Sequence, residues 1–91
     1  MGRIVVEVMP KPEILDPQGK AIGTGLERLG LTGFTGVRQG KLFHLSVAGE
    51  VTPAALEQAR EAATSLLANP VIEDVVSVRE ADEAEAAEAA R

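Results

Sequence analysis

Leu15-Asp16-Pro17-Gln18-Gly19-Lys20-Ala21-Ile22, residues 15–22, is the most explicitly punctuated stretch of this 91-residue chain, and the fold is read outward from it. Asp16 suits a helix N-cap, because its carboxylate accepts hydrogen bonds from the free N–H groups of the first turn. Pro17 fits the first helical position, where a missing N–H costs nothing and the fixed φ is already helical. Ile22, Gly25, Leu26 and Leu29 then recur on one side at helical spacing, and Gly30 suits the left-handed residue that closes a helix. The stretch predicts a capped amphipathic helix from about residue 17 to residue 29.

Upstream, Arg3 to Met9 (RIVVEVM) is rich in β-branched residues and reads as a strand. Ile4, Val6 and Val8 share one face of it, and Val5, Glu7 and Met9 share the other. Pro10 and Pro12 end that strand and hold the connection extended. Downstream, the glycines between Gly30 and Gly40 predict a loop leading into a short strand near Thr35 to Gln39. Gly40-Lys41 fits either a hairpin turn or a bulge inside one long strand. Leu42 to Ala48 (LFHLSVA) is a strand with Phe43, Leu45 and Val47 on one face and Leu42, His44, Ser46 and Ala48 on the other. Thr52-Pro53 repeats the cap-plus-proline device, and Leu56, Ala59, Ala63, Leu66 and Leu67 form an apolar stripe behind it. Asn69 suits a left-handed closing residue, Pro70 blocks continuation, and Val71 to Arg79 forms the last strand.

Strand, helix, strand, helix, strand is the split βαβ order of an α+β, ferredoxin-like two-layer sandwich: an antiparallel sheet with two helices on one face. Residues 1–79 make the single domain. Residues 80–91 are an acidic Ala/Glu tail, prone to helix but lacking an apolar stripe, and are expected to fray or remain disordered. One sheet face is then left bare, and Val5, Met9, Leu42, His44 and Val75 form a candidate oligomer face on it. A chain this short buries only ~60% of its unfolded surface, so association is the expected source of further stability.

Composition narrows the function classes. With no cysteine, disulfides and thiolate metal sites are excluded. The net charge is −5, but residues 80–91 hold five acids and one Arg, which leaves −1 for the rest. A nearly neutral body with two Phe and no Tyr or Trp lacks both the basic patch and the stacking aromatics that nucleic acid requires. No apolar run reaches the ~20 residues needed to cross a bilayer, and Met1-Gly2-Arg3 does not open a signal peptide. A cytoplasmic location is expected.

The chain carries few residues in catalytic patterns. No GxxxxGK[ST] phosphate loop is present, and Gly19-Lys20 and Gly40-Lys41 read first as turns beside solvated lysines. His44 is the sole histidine, with neither a cysteine nor a GxSxG serine to serve, and reads as a packing or interface residue. Glu73 and Asp74 read as solvated acids at a strand start. Acylphosphatase-like hydrolysis is disfavoured because Arg3 begins the first strand rather than following it.

Three motifs in order, Leu15-Asp16-Pro17-Gln18-Gly19, Val37-Arg38-Gln39-Gly40-Lys41 and Leu66-Leu67-Ala68-Asn69-Pro70-Val71-Ile72-Glu73-Asp74, make residues 3–79 resemble the PurS family, the small subunits of phosphoribosylformylglycinamidine synthase. Val75 stands where that family often has tyrosine. The resemblance implies an ATP-dependent C–N ligase complex of purine biosynthesis with glutamine as amide donor. That complex converts formylglycinamide ribonucleotide, glutamine and ATP to formylglycinamidine ribonucleotide, glutamate, ADP and phosphate. It further implies that this chain has no catalytic residue, cofactor or metal of its own, ATP and Mg being held by the large synthetase subunit. A homodimer or homotetramer would bridge that subunit and a separate glutaminase and assist ammonia transfer. Candidate partner or anion contacts are Gln18, Gly19, Arg38, Gly40 and Lys41. The alternative is a small-molecule-sensing module of the ACT type, against which the stiff Pro10-Lys11-Pro12 connection counts.

Overall fold

The computed structural model describes residues 2–89, with side chains described through residue 86. Three strands, β1 (Gly2–Pro10), β2 (Lys41–Val47) and β3 (Glu73–Glu80), form one antiparallel sheet in the order β2-β1-β3. β1 takes the centre because it is apolar on both sides. Ile4, Val6 and Val8 are at most 1% exposed on one face, and Val5 is 0% exposed on the other. Burying side chains of this kind contributes ~1.5–3 kcal/mol each, which makes β1 the main apolar investment of the chain.

Helix α2 (Pro53–Ala62) lies over the Ile4, Val6 and Val8 face, with Ala59, Ala63 and Ala68 in the core and Phe43, Leu45, Leu56, Leu67, Val75 and Val78 packed around it. Thr52 caps α2 by accepting from the Ala55 N–H at 3.1 Å, as the Thr-Pro pair predicts. The far end differs from expectation. Asn69 is not left-handed, since no non-glycine residue among those described has positive φ. Instead α2 passes into a π turn, Ala63–Leu67, and the Ala68 N–H reaches back to the Ala63 carbonyl. The extra residue in that turn rotates the stripe: Leu66 swings out to 81% exposure, while Ala68 enters the core. Asn69 then organises the next turn, its side-chain oxygen accepting from the Val71 N–H and its carbonyl from the Ile72 and Glu73 N–H groups.

A one-residue irregularity resets β3. Ser77 pairs with Glu7, but Val75 rather than Val76 pairs with Val8. Because strand side chains alternate strictly, the inserted residue reverses the facing of everything before it. Val75 therefore packs against the core, and Val76 stands out at 57% exposure.

The α+β class and the antiparallel sheet are as expected, with α2 supplying the helical cover of the core. Helix α1 (Pro17–Arg28) contributes no residue to that core. Its punctuation holds: Asp16 caps it, and Gly30 (φ 79°) closes it with Leu31 N–H to Leu26 O and Gly30 N–H to Glu27 O bonds. Its apolar stripe, however, is uncovered, with Ile22 44% and Leu29 75% exposed, and Leu31 and Phe34 follow at 49% and 62%. No strand forms over residues 35–39, and Gly40 is neither hairpin nor bulge; the chain returns extended beside α1 and joins β2 at Lys41. The outlying α1 makes the molecule long, 46 × 31 × 16 Å, with a radius of gyration of 15.9 Å. About 12 Å is usual for a chain of this length.

After β3 the chain turns into α3 (Glu83–Ala89). Lacking an apolar stripe, α3 is held by polar contacts. Asp82 and Glu85 cap each other's backbone N–H groups, and the Arg79 guanidinium donates to both Glu85 oxygens at 2.5 and 2.7 Å. Residues 90–91 of the tail lie outside the described residues.

Candidate functional site

Where β1 ends, three separated segments meet around a cleft of about 210 Å³ lined by Pro10, Ile14–Gln18, Gln39–Lys41, Ile72 and Glu73. Each segment is held by its own local chemistry. The proline-stiffened turn after β1 is clamped by Arg38, whose guanidinium donates to the carbonyls of Lys11 at 2.9 Å and of Pro10 and Ile14 at 3.3 Å. The Asp16 carboxylate works on two fronts: one oxygen accepts from the Gly19 N–H at 2.9 Å as the helix cap, the other from the Gln39 N–H at 2.8 Å. One side chain thus starts α1 and fastens the returning chain to it. Gln39 also donates to the Gln18 side-chain oxygen across the same gap.

Two glycines are required by close approach. A Cβ on Gly19 would lie 2.4 Å from the Val37 carbonyl oxygen, and one on Gly40 would lie 2.3 Å from the Val8 carbonyl oxygen and the Met9 sulfur. Any side chain at either position would force the backbone apart. On the third side, the Lys41 ammonium pairs with Glu73 at 3.0 Å, Glu73 also accepts from the Asn69 N–H at 2.8 Å, and Lys11 pairs with Asp74 at 2.7 Å.

The electrostatics follow from these bonds. The Gln39 N–H, then the Gly19 N–H, hold the Asp16 carboxyl below its ordinary pKa. The Asn69 N–H, then the Lys41 ammonium, do the same for Glu73. The Asp74 carboxylate raises the Lys11 ammonium above its usual value. Every cation around the cleft already has an anion or carbonyls as partner, so the site is not built as an anion trap. Its rim offers two carboxamides and a lysine beside the exposed apolar side chains of Leu15 (74%) and Ile72 (39%). That mixture suits a protein surface at a polar interface rim. Among the described residues, no group of three or more His, Asp or Glu is placed to hold a metal ion.

Of the sequence-predicted contacts, Gln18, Gly40 and Lys41 line the cleft, and Gly19 sits in the α1 turn behind it. Arg38 is drawn in as well, but its guanidinium is spent on backbone carbonyls, which makes it a positioning residue. The candidate oligomer face divides. Leu42 (51%) and His44 are exposed, and Met9 is half-buried against Gly40. Val5 is enclosed within the chain and offers no surface, and Val75 packs against the core. Sequence reasoning missed the second role of Asp16, the bridging part of Gln39 and the engagement of Glu73, which had read as solvated and whose side chain is 10% exposed. Their only sequence signal was membership of the three motifs themselves, which meet here in space.

Comparison with known proteins agrees with this convergence. A family model, PurS, described as phosphoribosylformylglycinamidine (FGAM) synthase, matches residues 3–81. The phosphoribosylformylglycinamidine synthase subunit PurS of Mycobacterium leprae is 52% identical over 80 residues, covering 88% of this chain and 98% of that protein. Among solved structures, Methanocaldococcus jannaschii PurS superimposes with a TM-score of 0.75 at 28% identity, covering 90% of this chain and 98% of that chain. A chain of the PurLQS structure from Thermotoga maritima does so at 0.76 and 31% identity, covering 88% and 96% respectively.

Proposed function

The chain belongs to the PurS family of phosphoribosylformylglycinamidine synthase subunits, and from that premise we propose that it works as a non-catalytic bridge between the synthetase and glutaminase subunits. It is a subunit of the ligase complex that makes formylglycinamidine ribonucleotide in purine biosynthesis. The bridging role and assistance to ammonia transfer are the further reading. So are a cytoplasmic location, action as a homodimer or homotetramer, and the assignment of ATP and magnesium to the large subunit alone.

One observation carries the reading: Asp16–Gln18, Gln39–Lys41 and Ile72–Glu73, far apart in sequence, are locked into one cleft whose rim holds Gln18, Lys41, Leu15 and Ile72. The one amine among those side chains, Lys41, is ion-paired with Glu73, and Lys11 is paired with Asp74. Such a site contributes shape and hydrogen bonds, which is what a docking surface needs. The uncovered side of α1 adds an apolar surface that a small lone domain would not expose without cost.

The test is reconstitution. With synthetase and glutaminase present, omission of this chain should depress glutamine-dependent turnover much more than turnover driven by free ammonia. Leu15→Asp or Gln18→Ala should weaken co-purification of the three proteins while leaving the unfolding midpoint of the isolated chain unchanged. Equal glutamine-dependent turnover with and without the chain would overturn the bridging role.

A further inference from the structure

The core-facing side of the sheet is only partly roofed. Helix α2 packs over β1 and β3. The core-facing residues of β2, Phe43, Leu45 and Val47, therefore stay half-buried, although their counterparts on β1 are at most 1% exposed. Beside them runs an open groove of about 400 Å³, floored by Ile4, Leu45 and Val47 and walled by Ala55, Ala59 and Ala62 of α2. Those alanines stand at i, i+4 and i+7 on one face of α2, so the wall is smooth and apolar and lets a second helix approach to the usual ~8–10 Å.

Two helices on one face is the arrangement that the order of elements predicts, and α1 is the one absent from it. Helix α1 contributes no residue to the core, and among the described residues it packs against no strand or helix as α2 does. Its apolar stripe is uncovered, with Ile22 and Leu29 exposed at 44% and 75%. Nor is α1 free to swing back over its own β2. Arg38 ties the chain returning from α1 to the carbonyls of Pro10 and Lys11, and Asp16 ties that return to the start of the helix. A helix and a groove that suit each other are thus held apart within one copy.

We propose that two copies of this chain pair by exchanging α1, the Ile22–Leu29 stripe of each seating in the groove between β2 and α2 of the other. The proposal rests on the reading that the chain self-associates, and adds which surfaces meet. A second copy is the occupant because each chain carries one vacant seat for an amphipathic helix and one such helix without a seat. Each copy gives one helix and receives one, so the contact is isologous and closes at two. The area is sufficient. A 12-residue helix is ~18 Å long and ~10 Å across, and laying about two-fifths of its surface in a groove buries ~300 Å² on each side. Two such contacts remove on the order of 1,200 Å², which reaches the range of stable pairs.

Sedimentation velocity over a concentration series tests this with the full chain and two variants. Ile22→Asp/Leu29→Asp spoils the stripe at two side chains that are exposed in the single copy. Ala62→Arg blocks the groove from its half-buried wall, and Gln58→Trp at the exposed rim serves if that variant does not fold by circular dichroism. The stripe variant should associate ~100-fold more weakly than the unmodified chain, the loss expected for two buried aliphatic side chains. The groove variant should lose a similar factor by exclusion. Mixed in equal amounts, the two variants should pair with each other more tightly than either does with itself, because the intact α1 of one meets the intact groove of the other. Either variant dimerising like the unmodified chain, or a mixture without such rescue, overturns the exchange while leaving self-association intact. Monomers of the unmodified chain at every concentration overturn both.

Discussion

Three glycines of α1 offer one substitution with opposite expected signs. Replacing glycine by alanine inside a helix ordinarily stabilises by up to ~1 kcal/mol, because the flexible residue loses more backbone entropy on folding. At Gly25 nothing lies within 4 Å of the new Cβ, so that gain should appear in full. At Gly23 the new Cβ meets Val37 Cγ2 at 3.9 Å, an ordinary contact, so the gain should survive and slightly grow. At Gly19 the Cβ would sit 2.4 Å from the Val37 carbonyl oxygen and 2.7 Å from the Asp16 carboxylate, and neither the backbone nor the capping oxygen can yield cheaply. Overpacking of this kind costs typically ~1–3 kcal/mol and outweighs the propensity gain. Gly19→Ala should therefore destabilise by ~1–2 kcal/mol. Moving Val37 also draws Gln39 away from Asp16, so the cleft opens and docking of the larger subunits weakens. Urea unfolding of the three variants, followed by circular dichroism, reads the signs directly. If Gly19→Ala stabilised as much as Gly25→Ala, the close approach of the returning chain to α1, and with it the geometry of the cleft, would be refuted.

The bulge in β3 predicts a second sign reversal between neighbours: Val75→Asp should cost more than ~2 kcal/mol in urea unfolding, whereas Val76→Asp should stay within ~0.5 kcal/mol for the monomer. Arg38→Lys should impair co-purification with the larger subunits as much as Arg38→Ala does, because a lysine keeps the charge but cannot span the carbonyls of Pro10, Lys11 and Ile14. Asp16 and Glu73 have pKa values below the ordinary 3.8 and 4.5 in the folded chain, so they stabilise it above those values and that contribution fades as pH falls below them. Thermal melts should hold level from neutrality to about pH 5 and decline below pH 4, with Asp16→Asn/Glu73→Gln showing a shallower decline.

The sequence alone determined the local punctuation. Asp16-Pro17 and Thr52-Pro53 start helices because a side-chain acceptor followed by a residue without an N–H satisfies the first turn wherever the helix lies, and Gly30 ends α1 because the left-handed region favours glycine. The strand cores were equally legible, since β-branched alternation acts within the segment. The motifs that identified the family were also legible, including the residues that line the cleft. What only the tertiary structure decided depends on partners distant in the chain. The inserted residue at Val76 has meaning only against β1, and it moved Val75 from surface to core. The π turn that turned Leu66 outward and Ala68 inward is likewise a fit of α2 to the sheet. Arg38 reads as a free surface cation until the carbonyls of Pro10, Lys11 and Ile14 are brought to it, and Val5 reads as exposed until the strands on either side enclose it. Periodicity records which residues share a face. It does not record what that face meets, because that is set by contacts between segments whose separation carries no periodic signal.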